Sequence, residues 1–452
     1  MKIIIVGCGK VGLTLIEQLS REGHDLTLID QSRDVVESVT NKYDIMGMVG
    51  NGASYHVQME AGIEEANLLI AVTESDELNL LCCMIAKKSS NCQTIARVRN
   101  PEYSRDVNSI KSKLGLAMVI NPEHAAAREA ARLLRTPSAI KVDTFVKGRV
   151  ELLKLKIEPG SVLHGIRLMD MSHKLHCNVL VCAVQREDEV IIPKGNFVLQ
   201  EKDIISIVAS PKKADEFFRK IGMDHGKVKD AMIVGGGDLT YYLTEELLSM
   251  GIDVTIIEKD MNRCNFLSEH LPKATVIHGD GSERQILEEE GLASTEAFLS
   301  LTDMDEENIM MSLFAKSCSG AKLVTKINKI AFDDIISQLE IGSIICPKQV
   351  TSENIVRYVR GMENSLGINI ESLYRIIEDK AEALEFLIQK GSPVIGIPLQ
   401  EMKLKKNVLV CCINHGGQII TPRGSDVIHE MDTVIVVTTE TGFSDIADIL
   451  EG

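Results

Sequence analysis

The feature that most constrains this chain is that its sequence is written twice. Gly7 and Gly235 each follow a strand-forming run, Ile3-Ile4-Ile5-Val6 and Ala231-Met232-Ile233-Val234, and Asp30 and Glu258 end the next runs at the same offset of 228. From there the register is 229. Gly50-Asn51-Gly52-Ala53 matches Gly279-Asp280-Gly281-Ser282, and Thr73, Asp76 and Asn79 match Thr302, Asp305 and Asn308. Val179-Leu180-Val181-Cys182 recurs as Val408-Leu409-Val410-Cys411, Pro193-Lys194-Gly195 as Pro422-Arg423-Gly424, and Asp203 as Asp432. Self-similarity at one period over the whole length means that the structural unit is half the protein.

Each half divides again by pattern. Residues 1 to about 135 alternate short apolar runs (Lys2–Val6, Asp25–Ile29, Asp44–Val49, Leu68–Val72, Thr94–Val98, Met118–Ile120) with amphipathic stretches, and a helix over Pro122–Arg135 closes the region. That alternation predicts βαβ units in a parallel, doubly wound sheet. Between about 141 and 224 the texture becomes β-rich, with strands expected at Val150–Ile157, Asn178–Gln185, Val190–Ile192 and Asp203–Ala209. Helices are expected there at Leu163–Met171 and Lys212–Ile221. The same order returns at 229–360 and 368–452, and Gly222–Lys229 reads as the linker. The expected architecture is α/β: two doubly wound domains, each followed by a small α+β domain.

The bulk of the sequence excludes several classes. A 44% apolar and 25% charged composition is that of a folded globular protein. No apolar stretch approaches the 18 or so residues a membrane-spanning helix needs. The N-terminus reads as a first strand, because Gly-rich chemistry follows it where a signal peptide would carry a cleavage site. Net charge is −16 with no basic tract, which argues against nucleic acid and against direct binding to an anionic lipid surface. The eleven cysteines lack C-x-x-C spacing and read as reduced, buried thiols, and no metal ligands are expected.

The chemistry lies in the Gly-rich turns. Gly7-Cys8-Gly9-Lys10-Val11-Gly12 sits between a strand and the expected helix Val11–Ser20, with Asp30 ending the second strand about 20 residues on. Gly7 permits the tight turn, Gly9 lets backbone approach a pyrophosphate, and Gly12 lets the helix pack on the strand. The helix N-terminus offers N–H groups and the positive end of its dipole to phosphates. Asp30 would accept ribose hydroxyls and repel a 2′-phosphate, which favours NAD(H) or an adenine nucleotide over NADP. The Rossmann-like turn could instead be kept for folding alone. In the second copy, Gly235-Gly236-Gly237-Asp238-Leu239-Thr240, Thr240 takes the packing position and Asp238 stands where Lys10 could neutralise phosphate. Glu258 keeps the ribose acceptor, so binding there should be weaker or differently selective.

Asn51 and Gly52 lie at the carboxyl edge of the sheet, where an adenine would rest. Thr73 and Glu74 end the fourth strand, and Arg97 and Arg99 the fifth. Alternation along a strand sends only one of these arginines toward the site. The eleven histidines show no paired His–Asp or Arg constellation in the sequence, so a dehydrogenase, the rival reading, lacks its acid–base group and substrate anchor. A free-standing redox sensor is the other alternative.

The strings Gly7-Cys8-Gly9-Lys10-Val11-Gly12, Ala71 to Asn79, Ile95 to Tyr103 and Asn354 to Gly361 carry a resemblance. End to end, the chain resembles the TrkA family, the RCK (KTN) regulatory subunits of Trk potassium uptake systems, in which each half has an RCK N-terminal nucleotide domain and an RCK C-terminal domain. The resemblance implies a non-enzymatic, cytoplasmic subunit. It would assemble as a homo-oligomeric ring, a tetramer of tandem chains, peripheral to a TrkH-type potassium-translocating membrane protein, and be regulated by NAD(H) and ATP or ADP. Carried over by position, nucleotide contacts fall on Gly7, Cys8, Gly9, Lys10, Val11, Asp30, Asn51, Gly52, Thr73, Glu74, Arg97 and Val98. In the second repeat they fall on Gly235, Gly236, Gly237, Asp238, Leu239, Glu258, Asp280, Gly281, Thr302 and Asp303. The chain departs from the family pattern at Asn51, often Asp, and between its own repeats where Lys326 matches Arg97 and Lys348 matches Glu123.

Overall fold

The computed structural model describes all residues except 101–102, 104–106, 136–138, 147–148, 178, 188, 224–227, 329–335, 337–338, 340, 365–369, 377–379, 441, 444 and 452. The middle of the expected linker Gly222–Lys229, the first residue of the expected strand Asn178–Gln185, and Pro101 and Glu102 of the family string therefore lie outside the described residues.

The first sheet is built from β1 (Lys2–Val6), β2 (Asp25–Asp30), β3 (Met46–Val49), β4 (Leu68–Ala71), β5 (Gln93–Arg97) and β6 (Met118–Ile120). Between them run α1 (Lys10–Arg21), α2 (Arg33–Lys42), α3 (Tyr55–Glu60), α4 (Asp76–Ser89) and α5 (Val107–Leu114), and α6 (Pro122–Arg135) follows. All pairings are parallel, in the order β3-β2-β1-β4-β5-β6. The central strand β4 shows why: Leu68, Leu69, Ile70 and Ala71 are all fully buried, as a strand covered by helices on both faces must be. The strand order reverses between β1 and β4, and a doubly wound sheet opens its crevice at the carboxyl ends of the strands there.

A five-stranded antiparallel sheet comes next. It comprises β7 (Lys141–Phe145), β8 (Val150–Lys156), β9 (Leu180–Arg186), β10 (Glu189–Ile191) and β11 (Ile204–Ala209), in the order β10-β9-β11-β8-β7. Helices α7 (Leu168–Leu175) and α8 (Pro211–Lys220) accompany it. The expected helix Leu163–Met171 is displaced toward the C-terminus. Gly165 holds φ at +75°, a left-handed conformation that ends helical geometry, so turns occupy that stretch and the helix starts after Arg167. Strand β7 had no counterpart among the expected strands, because its two apolar residues, Val142 and Phe145, are three apart and fall on opposite faces.

The second repeat rebuilds both sheets. β12 (Asp230–Val234), β13 (Asp253–Glu258), β14 (Thr275–His278), β15 (Ala297–Ser300), β16 (Lys322–Lys326) and β17 (Ser343–Ile345) are parallel, in the order β14-β13-β12-β15-β16-β17. Their helices are α9 (Asp238–Ser249), α10 (Met261–His270), α11 (Arg284–Glu289), α12 (Asp305–Cys318) and α13 (Pro347–Asn364). β18 (Ile370–Ile376), β19 (Ala381–Leu387), β20 (Val408–His415), β21 (Gln418–Ile420) and β22 (Thr433–Thr438) form the antiparallel sheet, in the order β18-β19-β22-β20-β21.

The compact units are not the sequence halves. One unit contains residues Met1–Ala131 and Lys229–Val356, so the parallel sheets of both repeats belong together; the other contains Arg132–Val228 and Arg357–Gly452, with both antiparallel sheets. The second unit owes this to a shared core. Phe145, Val150, Leu152 and Cys182 of one repeat pack with Ala381, Ala383, Cys411 and Val437 of the other. An isolated small sheet could not bury that face. Nine of the eleven cysteines are buried, as the composition led one to expect. No described helix is long and apolar enough to cross a membrane.

Candidate functional site

Gly7 leaves β1 with φ at +95°, and an added Cβ would lie 2.9 Å from the Thr73 nitrogen, so the tight turn requires glycine. A Cβ on Gly9 would meet nothing within 4 Å, so that position is open for a ligand's approach. A Cβ on Gly12 would stand 2.1 Å from the Gly7 carbonyl oxygen, so α1 packs directly on the turn. Gly9 is the N-cap of α1 and no side chain caps that helix, whereas Ser32 caps α2 and Ser75 caps α4. The first turn of α1 thus keeps backbone donors for an anion. These features fit a dinucleotide phosphate.

Asp30 stands across the turn. One carboxylate oxygen accepts the Cys8 N–H at 2.8 Å and the other accepts the Ser32 N–H at 2.9 Å. Each oxygen retains a lone pair for a ribose hydroxyl. Cys8 is half-buried beside it, and burial, with the Asp30 charge second, pushes its thiol up to about 11. Lys10 is exposed, while Val11 and Val98 are buried in the core, leaving only their backbone for a ligand. The Val98 N–H is already donated to the Ile120 carbonyl.

The Asn51 side chain accepts the Ala53 N–H at 2.9 Å, shaping the loop after β3. Gly52 is pressed so close to Val6 that a Cβ would lie 2.2 Å from a Val6 methyl. Thr73 is locked by Asn79, whose amide oxygen accepts both the Thr73 N–H and its hydroxyl and whose amide nitrogen donates to the Thr73 and Arg97 carbonyls. The second repeat copies this lock with Asn308, Thr302 and Lys326. Asn79 and Asn308 were matched in the repeat but not assigned to the site; the register they share was the signal.

The expectation that only one of Arg97 and Arg99 reaches the site is corrected. β5 ends at Arg97, so strand alternation stops there. Arg97 donates to the Thr73 carbonyl at 2.5 Å and Arg99 to the carbonyl of exposed Glu74 at 3.1 Å. The Arg97 Nε is buried without a hydrogen-bond partner, and burial lowers the guanidinium below its ordinary value. An anion at this point would relieve both.

The second turn differs in its electrostatics. Gly235 holds φ at +97°, Gly237 is the uncapped N-cap of α9, and Glu258 accepts the Gly236 and Asp260 N–H groups. Thr240 is fully buried and its hydroxyl donates to the Gly235 carbonyl at 2.5 Å, closing the turn with a side-chain bond. Asp238 is already neutralised: Arg263 pairs with it at 2.9 Å and donates to the Gly236 carbonyl at 2.5 Å. The repeat supplies a cation at this turn, and it comes from α10. Leu239 is buried. Asp280 accepts the Ser282 N–H, which holds its carboxyl below the usual range, and Gly281 repeats the close approach of Gly52, here to Val234. Asp303 is engaged by Lys326 at 2.7 Å, which lowers it too, with a smaller effect from Lys10 of the first repeat.

The repeats meet beside these turns. Tyr242 on α9 donates its hydroxyl to the Arg99 carbonyl at 2.9 Å and accepts from the Asn121 amide at 3.0 Å. Glu123 has a buried carboxylate oxygen with no hydrogen-bond partner; burial raises its carboxyl, Arg99 and Arg97 oppose the rise, and Asp238 of the other repeat adds to it.

The fold and its turns define a duplicated Rossmann-type protein carrying a small antiparallel β-domain in each repeat. The TrkA-N domain family matches residues 3–122 and 231–347, and the TrkA-C domain family matches 152–222 and 383–451. The chain is 30% identical to Trk system potassium uptake protein TrkA homolog 1 of Methanosarcina mazei, over 99% of both chains. It is 30% identical to TrkA of Haemophilus influenzae, over 97% of this chain and 96% of that one, and 31% identical to TrkA of Halomonas elongata, over 96% and 95%. The chain belongs to the TrkA family of potassium uptake proteins. Its fold is also that of the GsuK RCK domain (TM-score 0.63, 15% identity, 96% of this chain and 92% of that one) and of the GsuK channel bound to NAD (TM-score 0.63, 15% identity, 97% and 76%).

Proposed function

We propose that this chain is a cytoplasmic, non-enzymatic regulatory subunit whose nucleotide occupancy governs a TrkH-type potassium-translocating membrane protein. Residues 1–135 and 229–360 act as the nucleotide-binding domains, and 141–224 and 368–452 as the small domains that complete each repeat. The first repeat binds NAD(H), ATP or ADP through the N-terminus of α1, Lys10, Arg97 and Asp30. The second repeat binds more weakly, because Asp238 and Arg263 already satisfy one another where a phosphate would sit. Several tandem chains form a ring, and protein contacts, not lipid, hold that ring at the membrane.

The observation that carries this reading is the first turn. An uncapped helix N-terminus, an open Gly9 and an acidic residue across the turn converge at the reversal of strand order. The full-length chain, denatured after purification, should release adenine nucleotides that the Asp30→Ala variant does not retain. Membranes containing the TrkH-type subunit should capture the chain, and bare anionic liposomes should not. Steady NADH consumption with a metabolite panel would replace this reading with a dehydrogenase. Failure of the loaded membranes to capture the chain would replace it with a soluble sensor.

A further inference from the structure

One buried carboxylate keeps its place in both small sheets but changes its partners between them. Asp203 is 1% exposed and lies just before β11. A buried carboxylate needs a counter-charge, and Arg186 at the end of β9 supplies it by a two-pronged fork, with both bonds 2.8 Å. The Arg186 guanidinium also lies over the Phe197 ring, 4.8 Å from its centroid. The Gln200 N–H completes the set at 2.8 Å.

In the second repeat Asp432 occupies the same place, just before β22, and is also 1% exposed. It keeps the backbone bond, from His429 N–H at 2.8 Å. The arginine is gone. His415 stands at its position at the end of β20, His429 replaces Gln200, and Asp426 replaces the Phe197 shelf. His415 Nδ1 is 2.6 Å from one Asp432 oxygen, His429 Nδ1 is 3.6 Å from the other, and the two rings are 5.0 Å apart. One ligand atom from each residue can be chosen so that all lie within 4.8 Å of one another. Both imidazoles are about half exposed, so they can re-aim by rotation while Asp432 stays fixed.

We propose that His415, His429 and Asp432 form a binding site for a borderline divalent transition-metal ion such as Zn2+, which takes the place of the arginine lost from this repeat. Two neutral imidazoles and a carboxylate are the donors such ions select over Mg2+ or Ca2+. Metal–ligand bonds of about 2.0–2.2 Å separate tetrahedral ligands by roughly 3.5 Å, within the spread present here. The fourth position faces solvent and takes water. The ion ties the end of β20 to the chain entering β22. The intervening loop carries Pro422, Arg423 and Asp426, which line a groove of about 1170 Å3 in the small-domain unit, so loading the site stiffens one wall of that groove.

The test uses the full-length chain stripped with chelator and titrated calorimetrically with Zn2+ alone. His415→Arg restores the pairing that the first repeat uses, and His429→Ala removes a ligand without touching the buried carboxylate. The wild type should bind one more Zn2+ per chain than either variant, or bind it about 100-fold more tightly. Zn2+ should raise the melting temperature of the wild type but not of His415→Arg. The extra site should weaken on acidification, because protons compete for the imidazoles. In the Co2+-loaded wild type the difference spectrum against His415→Arg should show ligand-field bands without thiolate charge transfer. Equal stoichiometry and affinity in wild type and His415→Arg, or no uptake by the wild type at micromolar Zn2+, would overturn the proposal. A thiolate band in the difference spectrum would overturn it as well, by assigning the ion to cysteine.

Discussion

Replacing Gly12 by alanine tests the geometry of the first turn at its tightest point. The new methyl would lie 2.1 Å from the Gly7 carbonyl oxygen and 3.5 Å from a Val72 methyl. A carbon–oxygen contact is comfortable near about 3.3 Å, so α1 must retreat by about 1 Å. Gly7 cannot give way instead, because its φ of +95° and its contact with Thr73 fix it. Overpacking of this kind costs about 1–3 kcal/mol. If that falls on the phosphate-binding geometry, affinity drops roughly 5- to 150-fold. NADH and ATP titrations should show this loss, and differential scanning calorimetry a fall of several degrees. Gly12→Thr should be no milder than Gly12→Ala, because its Cβ falls at the same point and carries two further heavy atoms into the contact. An alanine variant that binds within twofold of wild type and melts at the same temperature would refute the reasoning.

Three further outcomes follow from the same residues. Asp30→Ala should weaken NADH binding by tenfold or more while NADPH, disfavoured by the wild type, loses less; a wild type that prefers NADPH would sink the ribose argument. Asp238→Ala should free Arg263 for phosphate and raise second-site affinity about tenfold, read by calorimetry in an Asp30→Ala background, and unchanged affinity would remove the pair from the account. Glu123→Gln should stabilise the nucleotide-free chain near pH 7 and not near about pH 4: burial raises this carboxyl, so its protonated form favours folding below the unfolded pKa, and that advantage is lost as pH rises through the folded one. Urea melts that give the same difference at both pH values would contradict it.

The doubly wound sheets were legible because their strands are short apolar runs with no polar face. β1 and β6 fall on the expected residues, and β4 differs only at its last one. β7 was hidden because its two apolar residues, Val142 and Phe145, fall on opposite faces of an edge strand, and the helix after Gly165 was misplaced by the glycine's left-handed turn. The pairing of like sheets into common units could not be read, since a buried face does not name what covers it. At the candidate site, the glycines and acidic residues carry local rules of spacing. Arg263 does not: it reaches Asp238 from 25 residues away, and only the folded chain brings the charges together. The exchange of Arg186 for His415 lay open in the 229-residue register, but its meaning depended on the burial of Asp432.

The most direct test of the central claim is potassium flux through the reconstituted chain and its TrkH-type partner, with ATP exchanged for ADP and NADH for NAD at saturating concentrations. A ligand moves an equilibrium only by its differential affinity for the two states, and a tenfold difference is worth about 1.4 kcal/mol per site, multiplied by the sites in a ring. Flux should change with the identity of the nucleotide in the wild type and lose that dependence in the Asp30→Ala variant. Identical flux with all four nucleotides, while each still raises the melting temperature, would show the sites to be structural and the regulatory account to be wrong.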